Sequence, residues 1–241
     1  MIDAVLFDWG NTLAPTEWSD GAARAGNELG LAAIGREGLP APEAIEAWWG
    51  RFLTSWEAAS PEQDFDTVAA AGDCFTELGC PLEDDEVARY VEATQRYWTG
   101  LSAAHPQTHL LLDRLRAEGL ELGLVSNTTT PKRFLDEALE SQGLGERLGT
   151  AVFSRELGKR KPHPAIFEAA LEALGVAAER TVFVGDRSYE DVHGAAAVGM
   201  TTVQALWFGA VDDPRGAEPA FRATEPLDVL DIVRTLRRRA A

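Results

Sequence analysis

Short apolar segments alternate with longer amphipathic segments through the second half of the chain. The apolar segments predict strands at 120–125, 151–153, 181–184 and 202–206, with a further short strand at 221–224. The amphipathic segments predict helices at 108–117, 131–142, 164–174, 192–198 and 227–239. Strands and helices that alternate at this spacing form a parallel sheet with helices on both faces. The pattern therefore predicts an α/β fold with a Rossmann-like parallel sheet.

One more strand is predicted at the start of the chain. Residues 4–7 are apolar, and the run ends abruptly at Asp8. A buried strand excludes an unpaired charge, so we expect Asp8 where the strand leaves the core and a loop begins. Open α/β sheets bind their ligands in the crevice at the carboxyl ends of the strands. Taken alone, Asp8 would fit equally well as a carboxylate that caps the following turn.

A long helical block separates this first strand from the second. Residues 14–104 show no strand pattern, and helices are predicted at 42–53, 65–78 and 83–98. Six of the seven Trp residues lie between residues 9 and 98, where we expect them to pack the core of a helical bundle. We therefore predict a core domain of residues 1–13 and 105–241 and an inserted all-helical cap domain of residues 14–104. The cap would leave the sheet beside Asp8 and could cover the crevice.

The composition excludes several roles. The 241 residues carry a net charge of −17, which repels nucleic acid and anionic membranes. No apolar run approaches the roughly 20 residues of a membrane span, and the first residues lack the pattern of a signal peptide. We expect a cytoplasmic protein, a monomer or homodimer, with no nucleic-acid or membrane partner. Cys74 and Cys80 are too few for a disulfide scaffold, and we expect both to be buried as small apolar side chains.

Polar residues follow four of the predicted strands and should meet at one edge of the sheet. In chain order they are Asp8, Ser126 with Asn127, the basic run Lys159-Arg160-Lys161, and Asp186 with Glu190 and Asp191. Carboxylates supply a nucleophile and hard oxygen ligands for Mg²⁺. A hydroxyl and amide hydrogens hold phosphate oxygens, and a Lys offsets charge that develops during phosphoryl transfer. The set fits Mg²⁺-assisted phosphoryl chemistry.

These segments resemble the four motifs of the haloacid dehalogenase (HAD) superfamily of hydrolases, in the same order. The resemblance rests on the segments Phe7-Asp8-Trp9-Gly10-Asn11-Thr12-Leu13, Val125-Ser126-Asn127-Thr128, Gly158-Lys159-Arg160-Lys161-Pro162-His163-Pro164-Ala165-Ile166-Phe167 and Val184-Gly185-Asp186-Arg187-Ser188-Tyr189-Glu190-Asp191-Val192-His193-Gly194-Ala195. The helical block also lies where this superfamily places its small helical cap. The resemblance implies a HAD-like core and a hydrolase activity.

The resemblance also implies a role for each matched residue. Asp8 would be the nucleophile that forms an aspartyl-phosphate, and Lys161 would contact both the nucleophile and the phosphate. The Ser126 hydroxyl and the Asn127 amide would bind the phosphate. The resemblance implies a magnesium site as well. Its ligands would be Asp8, Asp186 and the backbone carbonyl of Gly10, and Asp191 would support them without binding the metal itself.

The chain departs from the superfamily's phosphatases at Gly10. These phosphatases usually carry a second Asp at that position, which protonates the leaving oxygen and later activates water. Water or a cap carboxylate such as Glu17 or Asp20 could replace it. Haloacid dehalogenases also lack this Asp and use no metal, whereas phosphonoacetaldehyde hydrolases need a cap Lys that residues 14–104 do not contain. A protein that binds a phosphorylated ligand or a partner with weak or no turnover is a further alternative.

The sequence analysis therefore predicts a Mg²⁺-dependent phosphatase that acts on a small phosphorylated metabolite. The acids Asp186, Glu190 and Asp191 favour the metal-dependent enzyme over a metal-independent 2-haloacid dehalogenase.

Overall fold

A parallel sheet forms the centre of the molecule. The computed structural model describes residues 1–15, 19–59 and 63–239. Within these ranges the strands are β1 Ala4–Phe7, β2 Glu121–Ser126, β3 Thr150–Phe153, β4 Thr181–Gly185, β5 Thr201–Ala205 and β6 Phe221–Ala223. They form one sheet in the order β3-β2-β1-β4-β5-β6, and every neighbouring pair is parallel. The predicted α/β sheet is confirmed.

Helices surround this sheet and fill the segment between β1 and β2. The described residues contain α1 Asp20–Ile34, α2 Pro42–Ala59, α3 Thr67–Glu77, α4 Asp84–Leu101, α5 Pro106–Ala117, α6 Lys132–Ser141, α7 Ser154–Leu157, α8 Pro164–Leu174, α9 Gly194–Ala197 and α10 Asp228–Arg239. A π-helical turn, Ser188–His193, runs directly into α9. The helix predicted at 192–198 is therefore shorter than expected, and the residues before it are wound more loosely. None of the described helices is long and apolar enough to cross a membrane.

Both faces of the sheet are covered, which explains why β1 is apolar at every position. Val5 and Phe7 point into a cluster with Leu111 and Leu112 of α5. Leu6 points the other way, into a second cluster that includes Phe167 of α8. Successive strand residues face opposite sides, so a strand with helices on both sides has no solvent-facing position to fill with a polar residue.

The helices α1 to α4 have a hydrophobic cluster of their own. Ile45, Trp48 and Phe75 are buried in it. The helices α1 and α4 approach closely at Gly30, where an added Cβ would lie 2.5 Å from the Tyr90 ring. The sequence analysis did not predict α1 because its three glycines weaken the helical signal.

Two predictions for this block were incomplete. Trp48 is buried as expected, whereas Trp49, Trp56 and Trp98 line a cavity. Cys74 is buried, but Cys80 is only half-buried, because it lies beyond the end of α3.

Candidate active site

The predicted site residues lie at the carboxyl edge of the sheet. Asp8 follows the last residue of β1, Ser126 is the last residue of β2, and Asp186 follows the last residue of β4. The register places Phe7 opposite both Leu124 and Val184. The three strands therefore end almost level, and their polar residues converge.

Lys161 lies at the centre of this convergence and is almost fully buried. Its Nζ is 2.5 Å from Asp8 Oδ1 and 2.7 Å from Asp191 Oδ1, and it donates to the backbone oxygen of Val125 at 3.0 Å. An ammonium carries three donors, and here three oxygens surround it. Burial alone would lower the pKa of Lys161, but the carboxylates of Asp191 and Asp8 outweigh burial and raise it. Lys161 therefore stays charged and ties two carboxylates together.

Each oxygen of Asp191 faces a cation or a donor, although Oδ1 forms an ion pair without a hydrogen bond among the described residues. Oδ1 faces Lys161, and Oδ2 accepts a hydrogen bond from the backbone N–H of Arg187 at 2.9 Å. The π-helical turn carries Asp191 against Gly185, where an added Cβ would lie 2.4 Å from Asp191 Cγ. Only glycine fits at Gly185 without displacing the carboxylate. The sequence analysis missed this requirement, although a glycine at the end of a buried strand often marks such a close approach.

Asp186 is buried, and its Oδ2 has no hydrogen-bond partner among the described residues. Its pKa is raised to about 8, first by burial and then by the charges of Asp8 and Asp191. The pKa of Asp8 is raised to about 6, also chiefly by burial, while Lys161 acts in the opposite direction. Negative charge is therefore crowded at this edge beyond what Lys161 neutralises.

Oxygens of Asp8, Asp186 and Asp191 lie within 4.8 Å of one another. A buried carboxylate oxygen without a partner is costly, and a cation would remove that cost. Carboxylates are the hard oxygen ligands that Mg²⁺ prefers. This donor set therefore fits a hard divalent cation.

Asn127 holds the Lys161 segment through its side chain. Its Nδ2 donates to the backbone oxygen of Lys161 at 3.0 Å, and its Oδ1 accepts from the backbone N–H of Lys161 at 2.7 Å. The next residue, Thr128, donates its backbone N–H to Ser154 Oγ at 2.8 Å. The side-chain roles of Asn127 and Ser154 were not predicted, because both depend on segments that are distant in sequence.

The turn after Asp8 is tight. Asn11 adopts a left-handed conformation with φ +56°, which Asn tolerates better than most residues, and its N–H donates to the oxygen of Ala14 at 2.7 Å. Gly10 lies within this turn and adds no side chain. Of the two acids considered as its replacement, Glu17 lies outside the described residues. Asp20 is the first residue of α1, but its side chain is not among the parts of the chain that the structure describes.

A cavity of about 600 Å³ lies between the helical block and the sheet. Its wall on the sheet side is formed by residues 127–130, which follow Ser126 directly, and by Arg160, next to Lys161. The cavity thus begins where the predicted phosphate-binding residues end.

A buried Asp–Lys–Asp cluster at the carboxyl edge of a parallel sheet, with helices inserted after the first strand, defines a hydrolase of the class that the motifs predicted. The family model of haloacid dehalogenase-like hydrolases matches residues 2–199 of the sequence. The chain therefore belongs to this family and is an enzyme.

Relatives and solved structures agree with this assignment. The chain is 31% identical to the glyceraldehyde 3-phosphate phosphatase of Methanopyrus kandleri over 240 residues, covering 98% of this chain and 99% of the relative. It is 31% identical to the phosphoserine phosphatase of Thermus thermophilus over 192 residues, covering 76% and 69%. A HAD phosphatase from Thermococcus onnurineus superposes with a TM-score of 0.65 at 25% identity, covering 96% of this chain and 98% of that one. A 2-haloacid dehalogenase from Pseudomonas syringae has the same fold, with a TM-score of 0.72 at 24% identity over 98% and 100% of the two chains.

Proposed function

We propose that the protein is a Mg²⁺-dependent phosphatase that hydrolyses a small phosphorylated metabolite through an aspartyl-phosphate. The observation that carries this proposal is the arrangement of Asp8: it is buried, held by Lys161, and close to Asp186, whose Oδ2 has no partner among the described residues. A nucleophile, a counter-charge and a free hard oxygen ligand thus lie together. The phosphatase relatives support the same chemistry.

Asp8 would act as the nucleophile. A carboxylate oxygen of Asp8 forms a bond to phosphorus while the bond from phosphorus to the leaving oxygen breaks. The leaving oxygen takes a proton from solvent water. A second water molecule then attacks the same phosphorus and gives up a proton to solvent, the bond to Asp8 breaks, and inorganic phosphate leaves. Splitting the hydrolysis into two transfers replaces one difficult step by two easier ones.

Lys161 would orient this nucleophile and offset charge on the phosphate, because it already contacts Asp8 Oδ1 and remains charged. The Ser126 hydroxyl and the Asn127 backbone amide would hold phosphate oxygens at the end of β2. Asn127 would also keep Lys161 in place through its two side-chain hydrogen bonds. Each of these groups comes from a rigid strand end or is tied to one.

Asp8, Asp186 and the backbone carbonyl of Gly10 would hold Mg²⁺. When bound, the ion neutralises the carboxylates and the phosphate and so favours attack by one anion on another. Asp191 would orient these ligands without binding the metal itself, because Lys161 already neutralises its charge and the Arg187 N–H binds its Oδ2.

We further propose that residues 14–104 act as a cap domain over this edge of the sheet. The support is their separate hydrophobic cluster and the cavity they enclose with residues 127–130. The net charge of −17 supports a small-molecule substrate rather than nucleic acid or a membrane surface. We also propose that the protein works in the cytoplasm, as a monomer or homodimer.

The test measures phosphate release from p-nitrophenyl phosphate with Mg²⁺ and with EDTA, beside chloride release from 2-chloropropionate. We expect phosphate release that needs Mg²⁺ and no chloride release. Chloride release without metal would instead identify a dehalogenase, the alternative that Gly10 leaves open. Release of neither product, together with phosphate binding that Asp8→Asn leaves unchanged, would indicate a binding protein.

A further inference from the structure

The cavity above the proposed phosphate site has a chemical character of its own. We propose that it receives a bulky, largely aromatic leaving group that carries a hydrogen-bond donor, above all an ammonium, and that Glu46 recognises this donor. This inference rests on the proposed phosphatase function and names its substrate class. A cavity of about 600 Å³ is large enough for such a group, since pockets of about 300–1,000 Å³ hold drug-sized ligands.

Aromatic rings form a continuous wall of the cavity. The Phe65 ring contacts Trp49 at a centroid distance of 6.0 Å and Trp56 edge-on at 5.1 Å. Tyr90 and Trp98 of α4 also line the cavity. Tyr90 belongs to the hydrophobic cluster of the helical block, and Trp49 and Phe65 pack against it, so the faces that these rings turn to the cavity are flat, apolar and held in place. An aromatic or aliphatic group would be well accommodated on such a surface.

Most cations of the cavity and its surroundings are already paired; Arg51, which does not line the cavity, is the exception among the Arg side chains of the described helical block. Arg160 lines the cavity, but it binds Asp64 at 2.7 Å and lies 4.6 Å over the Trp56 ring. Four Arg side chains of the helical block that surrounds the cavity also bind acids: Arg24 with Glu28 and Glu43, Arg36 with Glu86, Arg89 with Asp85, and Arg96 with Glu92 and Glu137. Among the described lining residues, none offers an unpaired cation to a substrate carboxylate.

Glu46 differs from these paired acids. It lines the cavity, none of the described residues forms an ion pair with it within 4.0 Å, and its Oε1 has no hydrogen-bond partner there. The pKa of Arg24 is raised first by Glu28 and Glu43, both of which it binds, and only to a smaller extent by Glu46. Gln95 also lines the cavity with an acceptor oxygen that lacks a partner in the described chain. Two acceptors of described lining residues thus lack a partner, against one donor, the Nε of Arg160, whose guanidinium already binds Asp64. The larger unmet requirement in this region is therefore for donors.

Other polar groups of the cavity are already engaged. The Tyr90 hydroxyl donates to Asn27 Oδ1 at 2.7 Å, and the Thr67 hydroxyl donates to the backbone oxygen of Thr129 at 2.7 Å. The Thr94 hydroxyl is shared between the backbone oxygens of Tyr90 and Val91. Glu46 and Gln95, in contrast, present buried acceptor oxygens without a partner among the described residues, and we assign ligand recognition to them.

The test compares phosphate monoesters of primary alcohols, whose leaving oxygens have similar reactivity. The probes are ethyl phosphate, 2-phenylethyl phosphate, and 2-phenylethyl phosphates with an aminomethyl or a carboxylate group in the para position. We expect kcat/KM for 2-phenylethyl phosphate to exceed that for ethyl phosphate by at least about tenfold. The aminomethyl ester should exceed the carboxylate ester by at least about tenfold, because a charge-assisted hydrogen bond replaces a repulsion.

Two variants assign these preferences to the cavity. Glu46→Gln should bring the ratio of the aminomethyl ester to the unsubstituted ester close to one, whereas Glu57→Gln, at an exposed position of the same helix outside the cavity, should leave that ratio unchanged. Ala23→Phe fills part of the cavity and should lower the ratio of 2-phenylethyl to ethyl phosphate by about tenfold. Leu29→Phe changes an exposed position of the same helix and serves as its control.

Binding is measured separately from turnover, through quenching of Trp fluorescence by 2-(4-aminomethylphenyl)ethanol and by its carboxylate counterpart. Tighter binding of the amine, lost in Glu46→Gln, supports the inference whether or not the ester is hydrolysed. Equal binding of amine and carboxylate, or an active enzyme that prefers ethyl phosphate, overturns it and leaves the phosphatase proposal intact. Selective amine binding without phosphate release from any ester overturns the phosphatase proposal alone.

Discussion

The edge of the sheet and the cavity above it handle charge in opposite ways. At the edge, three buried carboxylates crowd around Lys161, and burial raises the pKa values of Asp8 and Asp186. In the cavity, aromatic rings dominate, and Glu46 is an acid without an ion-pair partner among the described residues. In the function that we propose, strand ends supply the groups that react, whereas a few side chains of helices determine which ligand is preferred.

The substitution with the largest expected effect removes the proposed nucleophile and leaves the residues of the cavity unchanged. Asp8→Asn should lower kcat by at least about 10⁴-fold, because loss of a nucleophile removes the covalent route. Asp3→Asn, just before the other end of β1, is the matched control and should retain activity. Phosphate release is measured for both, with circular dichroism to verify the fold. Retention of more than a tenth of kcat in Asp8→Asn would exclude Asp8 as the nucleophile.

Removing the central cation should cost stability as well as activity. Lys161→Met leaves Asp8 and Asp191 buried without their counter-charge, and we expect a loss of about 3–5 kcal/mol in the free energy of unfolding. Lys132→Met breaks an exposed pair with Asp136 and should cost no more than about 1 kcal/mol. Urea denaturation measures both. Equal losses in the two variants would mean that the buried cluster does not need Lys161.

A third variant tests whether the edge lacks an acid of its own. Gly10→Asp places a carboxyl group where the leaving oxygen is expected, and general acid catalysis contributes about 10²–10⁴-fold in established cases. We expect ethyl phosphate hydrolysis to rise more than p-nitrophenyl phosphate hydrolysis, since nitrophenolate leaves without a proton. The ratio of the two kcat values is the measurement. An unchanged ratio would indicate that another group already supplies the proton.

The smallest effect concerns stability and pH in EDTA. Folded Asp186 has a pKa of about 8 against an ordinary value of 3.8, so between these pH values the folded protein keeps a proton that the unfolded chain has lost. The free energy of unfolding should therefore fall as pH rises from about 4 to about 8. Asp186→Asn should reduce this fall and raise Tm at pH 8.5 by a few degrees, at about 2–4 °C per kcal/mol.

Mg²⁺ should reverse the order of the Tm values of the original protein and Asp186→Asn. Bound ligand stabilises the folded state by mass action, so millimolar Mg²⁺ should raise the Tm of the original protein at pH 8.5 and have little effect on Asp186→Asn. Asp113→Asn, at an exposed position paired with Arg147, is the control and should respond to Mg²⁺ as the original protein does. Equal shifts in all three proteins would place the ion elsewhere.

The edge of the sheet was largely predictable from the sequence, because Asp8, Ser126 and Asp186 each end an apolar run. Parallel strands bring such ends together whatever the intervening residues are. The basic run that contains Lys161 was placed at this edge because it comes after the strand β3, although α7 lies between them. The family resemblance then singled out Lys161 within that run. The side-chain bonds of Asn127 depend on three-dimensional packing and have no local signal. Gly185, at the end of a buried strand, indicates a close approach, but the sequence does not identify Asp191 as the group that approaches.

The cavity could not be predicted in the same way. Trp48 and Trp49 are neighbours with the same helical periodicity, yet Trp48 is buried in a core and Trp49 lines the cavity. Periodicity identifies the apolar face of a helix but does not say whether another side chain fills the space opposite. The helix α1, which supplies part of the cavity wall, was missed because its glycines resemble loop residues.

The pair of hydrogen bonds between Asn127 and Lys161 has a mechanical consequence. A side-chain amide has the same donor and acceptor as a peptide unit, so Asn127 pairs with the Lys161 backbone much as a neighbouring strand would. The ammonium of Lys161 also binds the Val125 oxygen, in the same strand end. The loop that carries Lys161 is thereby hydrogen-bonded to the end of β2 through both its backbone and its side-chain ammonium. The ammonium of Lys161 should therefore be about as rigid as the sheet. Its distance to the carboxylate of Asp8 should vary as little as the spacing between two neighbouring strands.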